Sequence, residues 1–159
     1  MESQEVIIQN GDISLAGTIT MPDGGARKAA LLLIGGSLPQ NRDGNLDNSH
    51  TDWFPVPVPE RNLFRDVAHK LADIGITTLR YDKRGCGKSS GDFNKTGFYD
   101  LTEDAYTAYK FLQNYQGVES SMVGILGQSE GSIITLYLCS KYKNVAFAVL
   151  QGCPVRDLK

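Results

Sequence analysis

The chain has 159 residues, 41% of them hydrophobic and 21% charged, the proportions of one soluble globular domain and not of a disordered or fibrous chain. Its formal net charge of -2, with acidic and basic residues interleaved, leaves no basic face for nucleic acid. No apolar run approaches the ~20 residues that span a bilayer, and Met1-Glu2-Ser3-Gln4-Glu5 lacks the basic and apolar regions of a signal peptide, so neither a nucleic-acid nor a membrane partner is expected and the location is read as cytoplasmic. Cys86, Cys139 and Cys153 are odd in number and widely spaced, which suggests free thiols rather than a disulfide framework or a metal pair.

Val6 to Gln9 and Ile13 to Thr20 are β-rich runs joined by Asn10-Gly11-Asp12, where Asn and Gly accept positive φ, so an antiparallel hairpin is expected. After a polar turn, Ala29 to Ile34 is an unbroken apolar run, as a strand buried on both faces requires. Gly35 to Pro59 holds Pro39, Pro55, Pro57 and Pro59 and reads as a long functional loop. From Glu60, the apolar residues Leu63, Phe64, Val67, Ala68 and Leu71 recur at helical spacing, with Gly75 as the stop.

Ile76 to Tyr81 is the next predicted strand. A second helix is predicted from about Leu101 to Tyr115, with Asp100 and Glu103 as a capping pair and Gly117 beyond its end. Met122 to Leu126 reads as a strand, Ser129 to Tyr142 as a helix and Val145 to Gln151 as another strand. This alternation predicts an α/β fold with a mainly parallel sheet and helices on both faces.

Gly127-Gln128-Ser129-Glu130-Gly131 stands between predicted strand and helix, the setting in which G-x-S-x-G forms a nucleophile elbow. Serine is a weak nucleophile, so it needs a sharp turn to present it, a base, and backbone donors for the oxyanion. Glycines at the flanks permit close packing, and the N-H of Glu130, at the helix start, is placed to be one oxyanion donor. The second is expected from Ile34-Gly35-Gly36-Ser37-Leu38-Pro39. Counting from the glycines gives Ser37 and counting back from Pro39 gives Leu38; both stand open.

Tyr81-Asp82-Lys83-Arg84-Gly85-Cys86-Gly87-Lys88-Ser89 ends like a phosphate-binding P-loop, but the position of the required first glycine is Asp82, which argues against a nucleotide site. The stretch resembles the Tyr-Asp-x-Arg-Gly-x-Gly-x-Ser segment of α/β-hydrolase fold esterases and serine aminopeptidase-like hydrolases. Together with Gly35 to Gly44 and the Gly127 to Gly131 turn, it makes the resemblance cover nearly the whole chain. The run from Gly35 looks like the oxyanion segment of one bacterial branch of that family, with Leu38 where a glycine is usual. The resemblance implies hydrolysis of a carboxylic ester, thioester or small amide through acyl-Ser129, with no metal or organic cofactor and a small-molecule acyl substrate. It also implies that Tyr81 to Ser89 packs beneath the site in a structural role.

The same family places its acid and histidine after later strands, and its cap between them. Here no histidine follows Ser129, and Asp157 is the lone carboxylate after Glu130, reading as a surface residue. His69 reads as a surface residue of the first helix, and His50 as a loop residue. Residues 1–159 are therefore expected to be an incomplete α/β-hydrolase domain, truncated after the strand that follows the Ser129 helix and inactive alone. The alternative is a non-catalytic binding or assembly module. Glu130 is a candidate to shape the pocket or bind a basic group, and Trp53 and Phe54 are candidates to line the entrance. An uncovered last strand and helix predict self-association or a complementing C-terminal segment.

Overall fold

The structure, a computed structural model, describes residues 1–26, 28–47 and 58–154. Its strands are β1 (Glu2–Asn10), β2 (Ile13–Met21), β3 (Ala30–Ile34), β4 (Thr77–Tyr81), β5 (Val123–Gln128) and β6 (Ala148–Gln151). Its α-helices are α1 (Leu63–Asp73), α2 (Phe98–Gln113) and α3 (Glu130–Lys141). Among the described residues the sheet order is β1-β2-β4-β3-β5-β6. β1, β2 and β4 pair antiparallel, while β4, β3, β5 and β6 run parallel.

β3 shows why the sequence folds this way. Its five residues are all buried, and successive side chains of a strand point to opposite faces. Leu31 and Leu33 meet Phe64 and Ala68 of α1 on one face. Ala30, Leu32 and Ile34 meet the other, larger core, which includes Leu101, Ala105 and Tyr109 of α2 and Ile134 and Leu138 of α3. A continuous apolar run is thus two half-strands facing two helix layers, and each fully buried Leu or Ile contributes roughly 1.5–3 kcal/mol.

Several boundaries differ from expectation for identifiable reasons. β1 begins at Glu2, because exposed Glu2, Ser3, Gln4 and Glu5 extend an outer strand whose register runs Glu2 opposite Met21; a polar outer strand carries no apolar signal. α1 begins at Leu63, not Glu60. The Asn45 carboxamide oxygen accepts the N-H groups of Arg61 and Asn62, each at 2.8 Å, and Asn62 is left-handed at φ 49°. Those residues belong to the loop. α2 begins at Phe98, and the Asp100 carboxylate turns back to accept the Gly97 N-H at 2.8 Å, so Asp100 caps from inside the first turn and does not pair with Glu103 as a cap. β5 runs on through Gln128, and β6 begins at Ala148. Among the described residues no helix is long and apolar enough to cross a membrane.

Candidate active site

Ser129 joins β5 to α3 with φ 53° and ψ -117°. A non-glycine residue at positive φ is strained and persists only where its surroundings fix it. Two carbonyl contacts from β6 do so here: Gln151 O accepts the Ser129 N-H at 2.8 Å and the Ser132 hydroxyl at 3.2 Å. The flanking glycines are steric requirements. A Cβ on Gly127 would stand 2.1 Å from Gly131 O, and one on Gly131 would stand 2.4 Å from Ile34 O. The turn therefore presses the start of α3 against the end of β3 and leaves Ser129 half-buried at the surface.

The end of β3 brings Gly35 and Gly36 to the same place. A Cβ on Gly36 would lie 3.4 Å from the Ser129 Cβ, so the Gly36 backbone passes the serine in close contact. The Gly36 N-H is taken by the Gln40 side-chain oxygen at 3.0 Å. Ser37 is exposed and Leu38 half-buried; Leu38 lines a cavity of about 240 Å³ with Leu46, Val58 and Pro59. Among the described residues neither Ser37 nor Leu38 donates its N-H to another group. Glu130 opens α3, where the first N-H groups of a helix lack intrahelical partners. The Gly36 backbone, which Ser37 follows, thus lies beside Ser129 and the start of α3.

Beneath this loop sits a set of charges that sequence reading did not single out. Arg42 is buried, and its Nε and Nη2 bind the Asp82 carboxylate at 3.1 and 2.8 Å. Its Nη1 reaches Glu5 at 2.7 Å and the Thr18 hydroxyl at 2.8 Å. Asp82 also accepts the backbone N-H groups of Arg42 at 2.7 Å and Lys88 at 2.9 Å. Burial alone would raise the Glu5 carboxyl, but the Thr18 hydroxyl and the Arg42 guanidinium outweigh it and hold it below its ordinary value. A Cβ on Gly87 would lie 2.5 Å from the Asp82 carboxylate, so the second glycine of the Tyr81 to Ser89 segment makes room for this anion. Arg84 binds the buried Asp104 through two bonds, at 2.9 and 2.8 Å. The segment packs beneath the Gly35 to Gly44 loop and holds it.

Lys83 completes the set. Its ammonium donates to Gly36 O and lies 3.3 Å from a Glu130 carboxylate oxygen, with its side chain 6% exposed. Burial pushes this ammonium down from its ordinary value, and the Glu130 charge opposes the shift. The Glu130 carboxylate is thus engaged from within the protein. His69 lies on α1, which packs on β4 and β2. His50, Trp53, Phe54 and Asp157 lie outside the described residues.

A mostly parallel sheet with helices on both faces, and a strained serine between a central strand and the next helix, define an α/β hydrolase. The chain belongs to the hydrolase family described as serine aminopeptidase, S33, whose sequence profile matches residues 60–157. It is 30% identical over 145 residues to Esterase EstD of Thermotoga maritima, covering 91% of this chain and 32% of that protein. Among solved structures it resembles the alpha/beta hydrolase GrgF of Penicillium sp. sh18, with a TM-score of 0.75 at 22% identity over 94% of this chain and 45% of that one. It also resembles Est1E of Butyrivibrio proteoclasticus, solved with ferulic acid bound, with a TM-score of 0.68 at 21% identity over 90% of this chain and 50% of that one. The chain spans half or less of the length of each of these relatives.

Proposed function

We propose that this chain carries the nucleophile and oxyanion half of a serine hydrolase acting on a carboxylic ester, a thioester or a small amide. The Ser129 oxygen attacks the acyl carbon, its proton passes to a base, and the carbonyl electrons move onto oxygen. Collapse of that intermediate expels the alcohol, thiol or amine and leaves acyl-Ser129, which water then cleaves. The Glu130 N-H and one N-H of the Ser37-Leu38 pair hold the oxyanion. The observation that carries this reading is the strained Ser129 turn pressed against the Gly36 backbone, since strain at a half-buried serine persists only where the surroundings enforce it. The name of EstD inclines the reading towards ester substrates.

The base and acid of this reading lie outside the described residues, in a complementing C-terminal segment corresponding to the rest of the relatives' length. Residues 1–159 then form an incomplete domain, and the chain alone turns over short p-nitrophenyl esters little or not at all. Oxyanion donors without a base still leave a residual rate enhancement of roughly 10³–10⁴ over water. A fluorophosphonate should therefore label Ser129 slowly but to completion, and Ser129→Ala should abolish labelling. Vigorous hydrolysis by the chain alone would contradict the incomplete-site reading.

A second reading, a non-catalytic binding or assembly module, is favoured by one observation: Ile133 and Leu136 of α3 and Val149 and Leu150 of β6 are exposed apolar side chains. The frame encoded after Lys159 separates the two. A continuing frame with an Asp and a His supports the hydrolase, and a stop codon supports the module.

A further inference from the structure

We infer that Lys83 is a positioning residue that makes the Ser37 N-H, and not that of Leu38, the second oxyanion donor, by fixing the Gly36-Ser37 peptide and tying it to Glu130. This rests on the acyl-serine reading above and names a part of that site.

Three contacts carry it. The Gly36 N-H is spent on Gln40 at 3.0 Å, which removes it as a donor. The Gly36 carbonyl is bound by the Lys83 ammonium. In a trans peptide the carbonyl and the following N-H point in opposite directions, so a carbonyl drawn down to Lys83 turns the Ser37 N-H the other way. The Gly36 backbone passes Ser129, with a would-be Cβ at 3.4 Å from the serine Cβ, so the peptide that Lys83 fixes borders the nucleophile. Among the described residues the Leu38 peptide has no such anchor. The same ammonium reaches the Glu130 carboxylate at 3.3 Å, and the Glu130 N-H is the other proposed donor. One buried cation thus joins the two halves of the oxyanion site from below. The Lys83 stem passes 3.9 Å from a would-be Cβ on Gly35, so it packs against the loop it holds.

The test uses the whole chain, ¹⁵N-labelled, with a small alkyl fluorophosphonate. Labelling forms the Ser129 O-P bond, breaks P-F and releases fluoride, with the serine proton passing to solvent. The phosphoryl oxygen then occupies the oxyanion position. In the wild type the Ser37 and Glu130 amide resonances should move downfield on labelling while those of Gly36 and Leu38 stay. Lys83→Met should slow labelling roughly tenfold or more, leave the shape of its pH dependence unchanged, and lose the Ser37 response. Lys83→Arg, which keeps a charged donor, should recover most of the rate. A general loss of packing would instead disturb amides throughout the sheet.

A Lys83→Met variant that labels within about twofold of the wild-type rate overturns the inference while leaving the acyl-serine reading intact. So does a changed pH profile, which would make Lys83 a proton carrier. If Lys83→Met does not fold, the wild-type spectrum decides: movement of Leu38 in place of Ser37 overturns the inference. Failure of the wild type to label at all overturns the acyl-serine reading and this inference with it.

Discussion

On one flank of Ser129, the Gly35 to Asn45 segment is held by buried charge. Arg42 binds Asp82, Glu5 and Thr18, Arg80 binds Asp43 at 2.7 Å, and Asn45 binds the entry to α1. On the other flank, β6 is held by backbone pairing with β5 and α3 by the apolar core, and the two carry exposed Ile133, Leu136, Val149 and Leu150. All four residues of β6 are exposed, although it runs parallel beside β5. The first flank has its buried guanidinium groups paired within the described residues. The second leaves apolar side chains exposed. A loop without regular structure is fixed by many directional bonds, whereas an apolar contact depends on area.

Removing one member of the buried pair tests the first flank most severely. Asp82→Ala leaves the Arg42 guanidinium buried with much of its pairing gone, and breaking such a pair costs about 3–5 kcal/mol. The urea midpoint should fall accordingly. Arg42→Met combined with Asp82→Leu should recover a large part of the loss, because neither charge is then stranded. A single variant as stable as the wild type would mean the network contributes nothing.

The same flank should fail in alkali. Cys86 is 1% exposed, and its thiol is pushed up to about 12, mainly by burial and then by the Asp47 charge. A folded-state value above the ordinary one contributes stability that is complete below the ordinary thiol value and is lost as pH rises through the interval towards 12. By pH 10 the loss amounts to about 1.5–2 kcal/mol. Urea midpoints at pH 7.5 and pH 10 should therefore fall further for the wild type than for Cys86→Ala.

At the junction of the flanks, Ser129→Gly sharpens the contrast between stability and reactivity. Glycine adopts positive φ without a Cβ penalty, so the variant should gain up to about 1 kcal/mol while losing all phosphonate labelling. Thermal unfolding of the two proteins side by side measures it. A loss of stability would show that the serine conformation is not strained.

Much of this was legible in the sequence where the signal is local. The β3 run, the glycines around Ser129 and the hairpin at Gly11, at φ 57°, each follow from a few adjacent residues. The Gly87 position reads as a family glycine, yet its physical reason is the Asp82 carboxylate five residues away. Arg42 and Asp82 stand 40 residues apart, and Lys83 and Glu130 stand 47 apart. No periodicity or spacing joins such pairs; only the parallel order of β4, β3 and β5 brings them together. The first four residues of β1 carry no strand signal, because an outer stretch with both sides near solvent has no reason to alternate.

The smallest expected effect on stability tests the second flank. Leu136 is 47% exposed on α3, and lysine has nearly the helix propensity of leucine, so Leu136→Lys should change the unfolding free energy by no more than about 0.5 kcal/mol. Its effect on association should be larger. If α3 and β6 present apolar area for a partner, the wild type should self-associate at micromolar concentration in sedimentation and bind a dye of exposed apolar surface, and the substitution should reduce both. A charge placed at the centre of an apolar contact must be desolvated when the contact forms, so a single lysine suffices to oppose association without touching the core. A wild type that sediments as one monomeric species and binds no dye would remove the distinction between the flanks, because the exposed side chains of α3 and β6 would then be scattered surface residues of an ordinary kind.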